Sequence, residues 1–219
     1  MDRSGHRNIL RCLLDLILPR SCVACGAAPT PDTPLCNPCL AELTPALSPD
    51  AAGPLRVQAL CRHAGPAREL VHALKYGGRR DVARFFAARA AAVGMLPAGA
   101  VLVPIPLYAR RERARGFNQS ALLADAIVEA IPGLAVARAL ARRRPTRSQT
   151  QLDRAARQAN VAGAFALREV AGAPLAGRHV ILVDDVVTTG ATLHAAAAAL
   201  RGVNTAAIGA LVAVRAELD

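Results

Sequence analysis

The chain has 219 residues, room for one ordinary domain and a small accessory module. It is 53% hydrophobic but only 3% aromatic, so its core must be built from Ala, Leu and Val, and stacking platforms are scarce. The formal net charge is +11 and Lys75 is the only lysine, which implies an anionic partner without choosing among nucleic acid, nucleotide and membrane surface. A GC-rich genome, favouring Arg over Lys and inflating Ala, would explain the same bias.

In chain order, the first apolar stretch runs from Asn8 to Leu18. Arg11 and Asp15 interrupt it, no small-residue cleavage site follows, and it is too short to span a bilayer. Ile9, Leu10, Leu13, Leu14, Ile17 and Leu18 fit one helical stripe, which predicts a packed amphipathic helix, with membrane-surface binding as the alternative. No other segment could be transmembrane, so a cytoplasmic protein is expected.

Two Cys-x2-Cys pairs follow, Cys22/Cys25 and Cys36/Cys39. Each short pair can supply two thiolates to one tetrahedral zinc ion. Two disulfides are the competing reading, disfavoured in a reducing compartment. A structural Zn2+ site is therefore expected, its binding coupled to the folding of a module with little core of its own. Cys12 and Cys61 fall outside the pattern and read as small apolar residues. A Pro/Ala/Gly-rich linker from Pro45 to Pro54 separates this module, residues 1–45, from a larger domain, residues 55–219.

In that domain, Leu55 to His63 has strand character and Pro66 can open a helix to Tyr76, which Gly77-Gly78 breaks. A second helix is predicted over Arg80 to Val93. Then come a short strand at Val101 to Val103, a helix from Gln119 to Ile131 capped by Asn118, and a strand around Ala164 to Leu167. A buried strand from His179 to Val183, a helix from Ala191 to Leu200 and a last strand from Ala206 to Val214 complete the order. Continuous apolar runs between helices predict an α/β fold, a mostly parallel sheet flanked by helices on both faces.

The segment from Val183 to Thr192 carries the most chemistry. Asp184 and Asp185 follow a buried strand, at the end where parallel sheets place their ligand crevice. Thr188, Thr189, Gly190, Ala191 and Thr192 come next, as the chain turns into a helix. Backbone N–H groups at a helix N-terminus, with hydroxyls around them, cradle anions, and Gly190 lets the backbone approach the ligand. Carboxylates can accept hydrogen bonds from sugar hydroxyls. A phosphate at one end and a diol at the other together describe a ribose 5-phosphate. A helix cap alone would account for one residue of the set.

This order of residues resembles the ribose-phosphate motif of type I phosphoribosyltransferases. The resemblance implies that Asp184 and Asp185 contact the ribose hydroxyls of phosphoribosyl pyrophosphate (PRPP) and that Thr188 through Thr192 hold its 5-phosphate. It also implies Mg2+ bridging the diol and the pyrophosphate, as suits a hard cation. Purine-salvage members carry an aspartate where this chain has Thr188, so their base-directed route is not supported.

Further segments narrow the resemblance. Leu74-Lys75-Tyr76-Gly77-Gly78 closes a helix, and Val103-Pro104-Ile105-Pro106 leads past Arg110, Arg111, Arg113 and Arg115 into Gly116-Phe117-Asn118-Gln119. Thr146, Gln149, Leu152, Arg157 and Asn160 punctuate an Arg-rich stretch before Gly163-Ala164-Phe165. With the cysteine module in front, the chain is similar to the ComF family (ComFC/GntX-like) from about Leu13 to Val214. In physical terms the turn at Arg115, Gly116 and Asn118 is a candidate pyrophosphate loop, since a guanidinium holds phosphate oxygens bidentately; a solvated loop with incidental arginines is the alternative. The stretch with Thr146, Arg147, Gln149, Arg154 and Arg157 matches the flexible hood of phosphoribosyltransferases, or else is a solvated basic loop. It has no lysine, so a cation at the leaving pyrophosphate would have to be Arg147 or Arg154.

The ComF resemblance implies a PRPP-binding protein of DNA uptake and competence, handling single-stranded DNA in the cytoplasm beside the DNA-uptake helicase machinery. A working phosphoribosyltransferase with an unidentified nitrogen acceptor is the alternative, and a PRPP sensor within a complex a third. Only Tyr76, Tyr108 and Phe117 could stack on bases, and none of the five histidines is assigned a role.

Overall fold

The computed structural model describes residues 21–46, 55–94, 96–145, 161, 163–168 and 173–216. The expected helix over 8–18, Cys12 and the hood residues Thr146, Arg147, Gln149, Arg154 and Arg157 lie outside the described residues. Among the described residues no helix is long and apolar enough to cross a membrane.

Five strands form one parallel sheet in the order β1-β7-β6-β2-β3. They are β1 (Arg56–Arg62), β2 (Val101–Pro104), β3 (Ala135–Val136), β6 (His179–Val187) and β7 (Ala207–Arg215). The continuous apolar run Val180 to Val183 takes the centre because it can be buried on both faces. Ile181 and Val183 enter one core, with Leu70, Leu74, Phe86, Leu123 and Ile127. Val180 and Leu182 enter the other, with Leu193, Ala196 and Leu200.

On the first face lie α2 (Pro66–Gly77), α3 (Arg80–Val93) and α5 (Gln119–Ala130). Helix α2 buries Ala67, Leu70, Val71 and Leu74, a stripe at helical spacing, and ends at Gly78 in the left-handed region. Asn118 caps α5 as expected, its side chain accepting from the Ser120 N–H at 3.0 Å. Helix α6 (Ala191–Ala199) covers the second face.

Three expectations are revised. Strand β6 does not stop at Val183 but continues to Val187, because β7 pairs with it as far as Val187↔Arg215. Asp184 and Asp185 are thus strand residues. The strand near 164, β5 (Phe165–Leu167), is not part of the parallel sheet; it pairs antiparallel with β4 (Leu140–Arg142) in a separate ribbon. The stretch of arginines before Gly116 is a short helix, α4 (Ala109–Arg115), rather than a loop.

The cysteine module also differs from a free-standing unit. Leu35, Cys39 and Leu43 share the first core with α2 and α3. The Arg62 N–H donates to the Thr44 carbonyl at 2.9 Å, and Pro45 bridges Cys61. The module with little core of its own borrows the core of the large domain. Cys61 is fully buried there, as a small apolar residue would be.

Candidate functional site

Four segments converge on the carboxyl end of β6. The first is β6 itself. Asp184 and Asp185 are both nearly buried, at 8% and 5% exposure, yet their surroundings differ. Asp184 Oδ1 accepts from the Ser120 hydroxyl at 2.9 Å and from the Asp185 N–H at 3.0 Å. Burial lifts the Asp184 carboxyl to about 8; the Asp185 charge adds to this, and the Ser120 hydroxyl partly opposes it. Asp185 Oδ2 accepts no hydrogen bond and is closed off from solvent, but the Lys75 ammonium stands 3.1 Å away. The two atoms form an ion pair whose angle falls short of a hydrogen bond.

The second segment is the turn after β6. Thr188 and Thr189 lead to Gly190 at φ +75°, which caps α6 in a conformation that a side chain rarely adopts. The Thr189 hydroxyl accepts from the Ala191 N–H at 3.4 Å. Thr188 and Thr189 thus precede, and Thr192 follows, the start of α6 at Gly190. A small pocket of about 40 Å³ lies against the turn, lined by Thr188, Thr189, Gly190, His194 and Arg215 among others. His194 sits one helical turn past Gly190, where a Cβ would meet its ring at 3.5 Å.

The third segment leaves β2. Ile105 continues the ladder, its N–H donating to the Val183 carbonyl at 2.9 Å, and the chain then enters α4. Gly116 ends α4 at φ +81°. Asn118 ties the turn back to the strand, its Nδ2 donating to the Ile105 carbonyl at 3.0 Å. The Arg115 guanidinium donates to Gln119 Oε1 at 2.5 Å and lies 5.4 Å from the centre of the Tyr76 ring. Arg115 and Asn118 are therefore committed to building the turn that carries Gly116. Beside it opens a cleft of about 440 Å³ lined by Tyr108, Arg110, Arg111, Arg113 and Arg142. Burial holds the Arg142 guanidinium below its ordinary value, while the charge of Asp184 pulls the other way.

The fourth segment is the end of α2. Gly78 packs so closely on Phe117 that a Cβ would lie 3.0 Å from the ring. Through Lys75 on Asp185 and Tyr76 under Arg115, this helix end joins the acidic strand to the glycine turn.

The cysteines form a second, separate cluster. Cys22 and Cys25 flank a tight turn in which the Gly26 N–H donates to the Cys22 carbonyl at 2.9 Å. Cys36 caps α1 (Asn37–Ala41), and Cys39 lies within that helix. All four Sγ atoms lie within 4.8 Å of one another. Zinc–sulfur bonds of about 2.3 Å in a tetrahedron require sulfur separations of about 3.8 Å, so the cluster fits the ion. Cys25 and Cys36 approach to 3.5 Å, far outside disulfide length. Burial would raise the Cys22 thiol, but the backbone N–H groups of Cys36, Cys25 and Ala24 bring it down to about 6, whereas burial and the neighbouring sulfurs push the Cys39 thiol up.

The chain matches the phosphoribosyl transferase domain family over residues 120–217 and the double zinc ribbon domain family over residues 13–65. It is 32% identical to the DNA utilization protein YhgH of Escherichia coli over 181 residues, covering 78% of this chain and 74% of the relative. Over 100 residues it is 35% identical to competence protein F of Haemophilus influenzae, covering 46% of this chain and 43% of that protein. The chain belongs to the ComF family. Competence protein ComFC of Bacillus subtilis is likewise 35% identical, over 46% of this chain and 38% of its own length. Among solved structures, the AQ2163 protein from Aquifex aeolicus overlaps this ComF-family chain at 13% identity and TM-score 0.37, covering 70% of this chain and 78% of its own. A hypoxanthine phosphoribosyltransferase from Staphylococcus aureus does so at 13% and 0.35, over 67% and 62%. Overlaps this loose say nothing about the site.

Within the ComF-family frame, the four cysteines are the thiolate set of a structural zinc ribbon. Sequence reasoning missed three side chains at the carboxyl edge: Lys75, Ser120 and Arg142. Lys75 did carry a signal, being the only lysine in an Arg-rich chain. Ser120 and Arg142 carried none, because the Ser120 bond to Asp184 and the nearness of the Arg142 charge depend on how helix and ribbon pack on the sheet.

Proposed function

We propose that this chain binds PRPP with Mg2+ at the carboxyl edge of β6 and acts in DNA uptake, handling single-stranded DNA. The observation that carries the binding is the pair of buried carboxylates on the central strand, followed at once by a hydroxyl-lined, glycine-capped helix N-terminus. Asp184 and Asp185 would take the ribose hydroxyls, and Thr188, Thr189, Gly190, Ala191 and Thr192 the 5-phosphate. The turn at Arg115, Gly116 and Asn118 would face the pyrophosphate. The buried Asp185 Oδ2, which faces the Lys75 ammonium, suits hydroxyl donors, and Mg2+ would supply further positive charge against the pyrophosphate.

The DNA role is supported by the names the relatives carry, DNA utilization protein and competence protein, and by the net charge of +11. The arginine-lined cleft beside the site adds a surface for phosphates.

Thermal unfolding with Mg2+ and PRPP tests the binding. At ligand near 100 times Kd the stabilisation is about 2.7 kcal/mol, or roughly 5–10 °C at this size. Asp184→Asn should erase the shift; an unmoved melting point for the parent chain would end the proposal. Single-strand affinity should fall steeply between low and physiological salt, and a flat response would remove the DNA role. A second reading, transfer of the phosphoribosyl group to a nitrogen acceptor, is favoured by one observation: both ribose carboxylates and the phosphate turn are complete. Pyrophosphate release from PRPP in the presence of nucleobases or single strands decides it.

A further inference from the structure

Lys75 lies in the Leu74-Lys75-Tyr76-Gly77-Gly78 segment, to which no chemistry is assigned above. It lies in the last turn of α2, where helix carbonyls favour a cation, and its side chain is only 29% exposed. Its ammonium faces Asp185 Oδ2 at 3.1 Å, an oxygen shut off from solvent that accepts no hydrogen bond. The same turn continues into Tyr76 under Arg115 and Gly78 against Phe117, so its backbone is anchored to the Gly116 turn. Lys75 thus stands between the diol end and the pyrophosphate end of the site proposed for PRPP.

The residue type matters. Of the 27 Lys and Arg side chains in the chain, this one alone is lysine. A guanidinium would grip the carboxylate with two parallel hydrogen bonds and stay there. An ammonium is a point charge on a flexible stem and can exchange one oxygen for another.

We infer that Lys75 is a transferable counter-ion: it neutralises Asp185 in the free chain and turns to the pyrophosphate when the ribose diol takes that carboxylate. This rests on the PRPP reading of the site. The diol hydroxyls would then hydrogen-bond the Asp185 carboxylate while the pyrophosphate takes the ammonium, so each group exchanges one polar partner for another. Lys75 supplies the lysine that the hood sequence lacks, from a different part of the chain.

The test compares PRPP with ribose 5-phosphate, both with Mg2+, by calorimetric titration of the full zinc-loaded chain and its variants. For the parent, PRPP should bind more tightly than ribose 5-phosphate. In Lys75→Met that preference should fall at least tenfold, through lost PRPP affinity with ribose 5-phosphate affinity kept or improved. Lys75→Arg keeps the charge and the ion pair, so it guards against a folding failure; its preference should fall about threefold or more. A parental preference retained in either variant overturns the role of Lys75 while leaving the site intact. If the parent binds neither ligand, the PRPP reading itself fails, and the inference falls with it.

Discussion

The cysteine cluster and the carboxyl edge of β6 are built in opposite ways. The cysteines come from one short stretch of chain, and a tight turn after Cys22 and the start of α1 at Cys36 bring them together. The edge collects Lys75, Ser120, Arg142 and Asp184-Asp185 from distant segments, and only the packed sheet assembles them. The first site should depend on its metal, the second on helix packing. They are coupled none the less, because Leu35, Cys39 and Leu43 share a core with the helix that carries Lys75.

The largest expected effect breaks the separation between the two sites. Cys39→Ser, or removal of zinc by a chelator, should destabilise the whole chain by at least ~4 kcal/mol, lowering Tm by roughly 8–16 °C. Calorimetry checks this: a single transition moving as one supports the shared core, whereas a lost minor transition with an unmoved main one would show an independent module.

Asp184→Asn comes next and sharpens the edge as a place where function opposes stability. An acid lifted on folding from the ordinary carboxylate range to about 8 keeps a proton that the unfolded chain has already released. Stability is therefore lost as pH rises from about 4 toward the folded value. The asparagine variant can still accept from the Ser120 hydroxyl and the Asp185 N–H, and it carries no charge. It should be more stable than the parent by on the order of 2 kcal/mol near pH 8, with the gap closing toward pH 4, while losing PRPP binding. A pH series of melting curves reads this directly.

Smaller still is Gly78→Ala. Its positive φ and the 3.0 Å approach to Phe117 predict a loss of about 1–2 kcal/mol. If the helix end registers the two halves of the edge, PRPP affinity should fall in this variant while the zinc content stays unchanged. Equal losses at both sites would deny the comparison.

Much of this was legible in the sequence. The helices over 66–77 and 80–93 follow from Pro66, Gly78 and apolar stripes at helical spacing, and the structure places them there. The Asn118 cap is likewise a local hydrogen bond that residue type predicts. The zinc ligands are legible because metal geometry is satisfied by short spacings. The acids and the phosphate turn are legible because a buried strand running into Thr-Thr-Gly is a contiguous pattern.

What escaped was set by pairing and packing. The apolar run alone ends β6 at Val183, since nothing in Asp184-Asp185 suggests a strand; the ladder to β7 extends it through both acids. Within that extension one acid meets Ser120 and the other Lys75. Residue types and spacings along the chain thus determined the family, the fold class and the metal site. Only the tertiary structure decided which carboxylate carries a cation and which is pushed toward its neutral form, because burial and charge partners are properties of the packed sheet edge.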